Sequence, residues 1–110
     1  MKTAVILSAR WDKDTQVPYP LRPFHEDVCL IDRTIEALEA LGYSNILLVV
    51  GWQAQLYQKY ASASVRLVLN PDYKFTSSMG SLAVAAPYIH EDFLLVEGDT
   101  FYEYKVLKAL

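Results

Sequence analysis

Glu97 and Asp99 stand two residues apart at the close of the apolar run Phe93-Leu94-Leu95-Val96. In an extended strand alternate side chains share a face, so both carboxylates point the same way, and Gly98 between them lets a ligand approach the backbone. Magnesium takes oxygen ligands, keeps several waters, and commonly links one or two carboxylates to substrate phosphates. Glu97 and Asp99 are therefore the candidate metal ligands. An ordinary polar strand end has the same composition, and what favours a cation is where this strand must lie.

Cations and aromatic rings gather in a second place. The stretch from Ser8 to Pro23 follows the first apolar run and is far longer than a strand-to-helix connection needs; loops of that length are often functional. Arg10, Lys13 and Arg22 are the candidate catalytic cations, able to neutralise phosphates, and Trp11 or Tyr19 can cover a base. A solvated loop carries such charges too. Further along, Thr76-Ser77-Ser78-Met79-Gly80-Ser81-Leu82 opens a helical stretch. Ser78, Gly80 and Ser81 can present backbone N–H groups to a base or an anion at the positive helix end, while Ser77 or Ser78 equally serves as an N-cap.

Other reactive residue types carry less. Cys29, the sole cysteine, lies beside an apolar helical face and reads as a buried structural thiol. His25 and His90 border helices and read as surface residues, and the eight tyrosines as packing at the rim of the core.

The elements that must position these groups are legible as hydrophobic periods. Ala4–Leu7, Ile46–Val50, Val65–Leu69 and Phe93–Val96 read as four strands. The first, second and fourth are continuously apolar, as strands covered on both faces are, whereas the third alternates around Arg66 and belongs nearer an edge. Ile31, Ile35 and Leu38 recur at helical spacing, with Asp27 as the expected N-cap and Gly42 at the left-handed position after the last turn. Gln53–Tyr60 is a shorter helix candidate, and Ser78–Ala86 a third helix that Pro87 helps to end. The alternation β-α-β-α-β-α-β predicts an α/β fold: a doubly wound, mostly parallel sheet in a three-layer α/β/α arrangement, with right-handed crossovers. With strand order 3-2-1-4, the chain reverses direction between the first and fourth strands. The Ser8–Asp27 loop then faces Glu97-Gly98-Asp99-Thr100 across the crevice at the strands' carboxyl ends. The tail from Tyr104 to Leu110 reads as helical, with Val106, Leu107 and Leu110 in need of cover, which predicts self-association or a further C-terminal half.

Composition narrows the partners. The 110 residues suit one domain, residues 1–110, and 53% apolar content is enough for a shared core. A net charge of −3 removes the electrostatic case for nucleic acid. One thiol excludes an internal disulfide and fits a reducing compartment. The apolar run after Lys2 is too short for a signal peptide or a membrane span, so a cytoplasmic protein is expected.

Taken together, these segments resemble the sugar-phosphate and phosphocholine nucleotidyltransferases, a pyrophosphorylase-like group that includes CTP:phosphocholine cytidylyltransferases. The resemblance runs through Ala4-Val5-Ile6-Leu7-Ser8-Ala9, Leu30-Ile31-Asp32-Arg33-Thr34-Ile35-Glu36-Ala37-Leu38 and Gly42-Tyr43-Ser44-Asn45-Ile46. It continues through Val50-Gly51-Trp52, Asn70-Pro71, Ser77-Ser78-Met79-Gly80-Ser81-Leu82 and Leu94-Leu95-Val96-Glu97-Gly98-Asp99. It implies transfer of a nucleoside monophosphate, CMP in the cytidylyltransferases, from a nucleoside triphosphate to a small phosphorylated alcohol or sugar, with pyrophosphate released and Mg2+ as cofactor. By position, Asp99 would be a magnesium ligand, Ser8 and Ala9 would offer backbone to the base, and Ser78 to Ser81 would lie beside base or ribose. The family's first loop carries Gly-x-Gly-[Thr/Ser]-Arg and a later Pro-Lys pair, whereas the first glycine here is Gly42 and the pair reads Pro18-Tyr19. Arg10, Lys13 or Arg22 would have to supply the missing charge. The same departures motivate an alternative, a non-catalytic nucleotide-binding or regulatory module on that fold. Such transferases are longer than this chain, which makes it comparable to their N-terminal half. A hydride-transferring dinucleotide domain is excluded because no Gly-x-Gly-x-x-Gly follows the first strand.

Overall fold

The four apolar runs become the four strands of one parallel sheet. The computed structural model describes residues 2–11, 16–25, 27–75 and 78–98, with the side chains of residues 24 and 25 outside that description. Along the chain lie β1 (Lys2–Ser8), a 3-10 turn (Tyr19–Leu21), β2 (Pro23–His25), β3 (Val28–Cys29), α1 (Leu30–Ala40) and β4 (Tyr43–Val50). They are followed by a 3-10 helix (Ala54–Tyr60), β5 (Val65–Leu69), α2 (Ser78–Ala85), a second 3-10 turn (Ala86–Tyr88) and β6 (Phe93–Glu97). The sheet order is β5-β4-β1-β6, with every pairing parallel, and β2 and β3 make a small antiparallel ribbon that periodicity did not foretell. The tail at Tyr104–Leu110, Lys13, Asp99 and Thr76-Ser77 lie outside the described residues.

Alternation along each strand divides the core. Ala4, Ile6, Ile46, Leu48, Val50 and Val96 pack with Ile31, Ile35 and Leu38 of α1 and with Tyr57. Val5, Leu7, Leu47, Val49 and Val68 face Leu82 and Ala85 of α2. Both faces of β1 and β4 are thus covered, which is why they are apolar without interruption. β5 is an edge strand, as Arg66 foretold. β6 departs from expectation: it forms the other edge among the described residues, and Phe93 and Leu95 are 39% and 43% exposed. The two share the α2 side of the sheet, where the helix lies over β1, β4 and β5.

The ends of α1 show one success and one correction. Gly42 has φ of +90° directly after the last turn, and its N–H donates to the Glu39 carbonyl at 3.1 Å. The N-cap is Cys29 rather than Asp27. Asp32, three residues on, accepts from the Cys29 N–H and from its thiol, both at 3.1 Å, and from the Tyr60 hydroxyl at 2.8 Å. This is capping-box spacing, but cysteine is an unusual cap, so composition pointed to the aspartate upstream. Cys29 is buried, as expected of a structural thiol.

Burial works against the charged form of Asp32, but these hydrogen bonds and the Lys59 charge outweigh it, holding the carboxyl below its ordinary value of 3.8. A depressed carboxylate stabilises the fold above its unfolded-state value, and that contribution is lost as pH falls through the lower folded-state value. Asp32→Ala removes the cap and strands the Cys29 N–H and the Tyr60 hydroxyl, at an expected cost of about 2–4 kcal/mol. Urea denaturation from pH 7 to pH 2 checks this. The gap between wild type and variant should narrow in the acid range below 3.8, and a gap constant to pH 2 would contradict the assignment.

Candidate functional site

The carboxyl ends of β1, β4, β5 and β6 meet at one rim of the sheet. The chain leaves β1 toward β4 on one side and returns as β6 on the other, so the crevice of an open parallel sheet opens between β1 and β6. Leu7 is in register with Glu97, and beyond it the Gly98 N–H donates to the Leu7 carbonyl at 2.8 Å. A Cβ at position 98 would collide with the Ser8 hydroxyl and stand 2.8 Å from the Leu7 carbonyl oxygen. Only glycine allows this approach, which brings the acidic end of β6 against the exit of β1.

Ser8 and Ala9 are each 4% exposed, buried at the exit of β1. The Ser8 hydroxyl and that of Tyr57, itself 0% exposed, form no hydrogen bond to another group among the described residues. Burial drives the Tyr57 phenol well above its ordinary range; the neighbouring Ser8 hydroxyl acts the other way, without the pair reaching bonding geometry. A buried hydroxyl without a partner costs about 1–3 kcal/mol.

The three residues expected from α2 separate. Ser78, exposed at the first helical position, donates to Glu97 at 3.4 Å, which sets the carboxylate beside the positive helix end. Ser81 is buried and accepts from the Asn70 side-chain amide at 3.1 Å, while Gly80 is half-buried between them. Asn70 is 2% exposed, takes the Asp72 N–H at 3.0 Å and donates its own backbone N–H to Val50 at 2.7 Å. It ties α2 to the ends of β4 and β5. Nothing in residue type or period marks Asn70 for this work beyond its place in a turn.

Of the three candidate cations, Arg10 and Arg22 are among the described residues. Arg10 is exposed where β1 ends. Arg22 donates to the Val17 carbonyl at 3.1 Å and stands 5.6 Å from the centre of the Tyr19 ring, folding the loop on itself. Gln53, in the left-handed region at φ 56°, donates from its side chain to the Gln16 carbonyl at 3.1 Å and ties that loop to the start of the 3-10 helix. Trp11 is half-exposed, with the Lys74 ammonium 5.0 Å from its ring centre, a cation the sequence reading did not single out. His90 is exposed, and Cys29 is engaged in its cap.

The donor set suits magnesium in kind: Glu97 and Ser78 offer oxygen, and magnesium needs few protein ligands. Among the described residues no three His, Cys, Asp or Glu side chains gather as a metal cage. No helix among them is long and apolar enough to cross a membrane.

The profile of the MobA-like NTP transferase domain matches residues 8–110. The chain is similar to the CMP-5'-(3-aminopropyl)phosphonate synthase of Streptomyces rubellomurinus, at 31% identity over 98 residues, covering 84% of this chain and 15% of that protein. Its fold is that of Rv0371c from Mycobacterium tuberculosis H37Rv, with a TM-score of 0.72 and 21% identity over 97% of this chain and 57% of the other. HddC from Yersinia pseudotuberculosis, crystallised with GMP-PN, has a TM-score of 0.73 and 21% identity, over 97% and 52%. The chain therefore spans about half the length of these solved structures and a small part of the phosphonate synthase.

Proposed function

The chain belongs to the MobA-like NTP transferase domain family, and from that premise we propose that it transfers a nucleoside monophosphate, CMP in the first instance, to a small phosphorylated alcohol or sugar or to a phosphonate. An acceptor oxygen forms the new bond to the α-phosphorus of the triphosphate, the bond to the bridging oxygen breaks, and pyrophosphate leaves with its electron pair. The attacking phosphate or phosphonate is already ionised, so no general base is needed, and positioning with charge stabilisation supplies the rate. CMP and the phosphonate follow from the name of the Streptomyces relative.

The roles divide as follows. Backbone of Ser8 and Ala9 meets the base, and the start of α2 at Ser78 and Gly80, with the backbone of Ser81, lies beside base or ribose. Arg10, Lys13 and Arg22 counter the phosphate charge. Glu97 and Asp99 hold magnesium, which when bound lends positive charge against the phosphoryl oxygens.

The observation that supports this reading is the contact of Gly98 with Leu7 and Ser8, which joins the acidic strand end to the loop exit at the switch point. Pyrophosphate release from a panel of nucleoside triphosphates, each with phosphorylated and phosphonate acceptors and with or without magnesium, tests it. Release with CTP, magnesium and one acceptor class is expected. Triphosphate binding without release for any acceptor would reject the catalytic reading in favour of a binding module.

A further inference from the structure

Lys74 stands in the turn that leaves β5, at the carboxyl rim of the sheet and four residues before α2 begins at Ser78. The turn is held in place. The Asn70 side chain accepts the Asp72 N–H at 3.0 Å, and the Asp72 carbonyl accepts the Phe75 N–H at 2.9 Å. Tyr73 packs against Gly51, the residue after β4, so closely that a Cβ on that glycine would lie 2.6 Å from the Tyr73 Cβ. From this base the exposed Lys74 side chain reaches Trp11, three residues past the end of β1, and its ammonium stands 5.0 Å from the ring centre. β4 lies between β5 and β1 in the sheet, so the contact bridges two loops at the rim that strand pairing does not join.

We propose that Lys74 binds the phosphates of the nucleoside triphosphate, and that Trp11 is the positioning residue that holds its ammonium at the rim before the nucleotide arrives. This deepens the functional reading above and rests on it for where the nucleotide lies, between the exit of β1 and the start of α2. An ammonium over an exposed indole face is held weakly, and the ring leaves its N–H donors open to an acceptor oxygen. A phosphate oxygen offers the stronger, charge-assisted bond and takes the ammonium over. What the ring supplies is position, because a long lysine side chain otherwise loses rotamer freedom at the moment of binding. Arg22, by contrast, is turned back on its own loop through the Val17 carbonyl and the Tyr19 ring.

Titrations of the full chain decide it. The dissociation constants for CTP and for inorganic pyrophosphate, each with magnesium, should rise about tenfold in Lys74→Gln, the worth of one charge-assisted hydrogen bond at an exposed position, while the thermal midpoint stays level. Lys74→Arg should stay close to wild type. Trp11→Leu should weaken CTP binding about threefold by itself and no further when added to Lys74→Gln. In Trp52→Phe, which leaves Trp11 as the remaining tryptophan, pyrophosphate should change the indole emission, and that change should vanish with Lys74→Gln. CTP bound equally well by Lys74→Gln overturns the proposal and leaves the functional reading standing, and additive effects of the two substitutions overturn the role of Trp11. Lys74-dependent binding of CTP without pyrophosphate release for any acceptor upholds the proposal and rejects the catalytic reading. A wild type that binds neither CTP nor pyrophosphate rejects both.

Discussion

Asp99→Ala is expected to lower pyrophosphate release by about a thousandfold while leaving the protein folded. The residue follows Gly98 in the sequence, and the Gly98 N–H is held by the Leu7 carbonyl at 2.8 Å at the exit of β1. It comes two residues after Glu97 in the sequence, and β6, which ends at Glu97, stops at the switch point of a parallel sheet, where open α/β folds bind ligands. Charge stabilisation is most of what a phosphoryl-type transfer asks of a protein, so a carboxylate that holds the cation has a large effect and a strand-end carboxylate a small one. Asp99→Asn keeps the size and removes the charge, so it should fall nearly as far. Initial rates across a magnesium series, alongside thermal melting, separate the cases. A rate within a few-fold of wild type in both variants would remove Asp99 from the cation.

Gly98→Ala is expected to cost about a hundredfold in rate and, unlike the first substitution, about 1–3 kcal/mol in stability. The new methyl would meet the Ser8 hydroxyl and stand 2.8 Å from the Leu7 carbonyl oxygen. A side chain can rotate away, but a backbone carbonyl inside a parallel ladder cannot, so the end of β6 must shift. That shift displaces Glu97 from the exit of β1, and a misplacement of about 1 Å is enough for a hundredfold loss. Removing the Ser8 side chain as well, in Ser8→Gly with Gly98→Ala, relieves the first collision but not the second, and should restore stability only in part. Chemical denaturation and pyrophosphate release measure the two effects. An alanine variant with wild-type stability would show that the two strand ends do not approach as closely as described.

These substitutions fall where the sequence was informative, and others do not. The strands and the helices α1 and α2 were legible because burial on one or both faces imposes a period on side chains, whereas the order β5-β4-β1-β6 agrees with the common doubly wound order, which no side-chain period encodes. Gly42 was legible because few residues tolerate a positive φ. The end of β6 was legible because an acidic-Gly-acidic sequence closes an apolar strand at a predicted switch point. The exposure of Phe93 and Leu95 was not, since a run of apolar residues says that a strand is apolar and not how far a neighbouring helix extends over it.

Residue types and their spacing determined the layers of this protein and the direction of its strands, because backbone pairing and hydrophobic burial are written locally along the chain. Which hydroxyl meets which partner was decided by the tertiary structure alone. The Tyr60 hydroxyl reached Asp32 from 28 residues away. Ser81 turned inward to Asn70, and Tyr57 came to pack on the α1 face of the sheet. Such pairings depend on distances between elements far apart in the chain, and no local period encodes them.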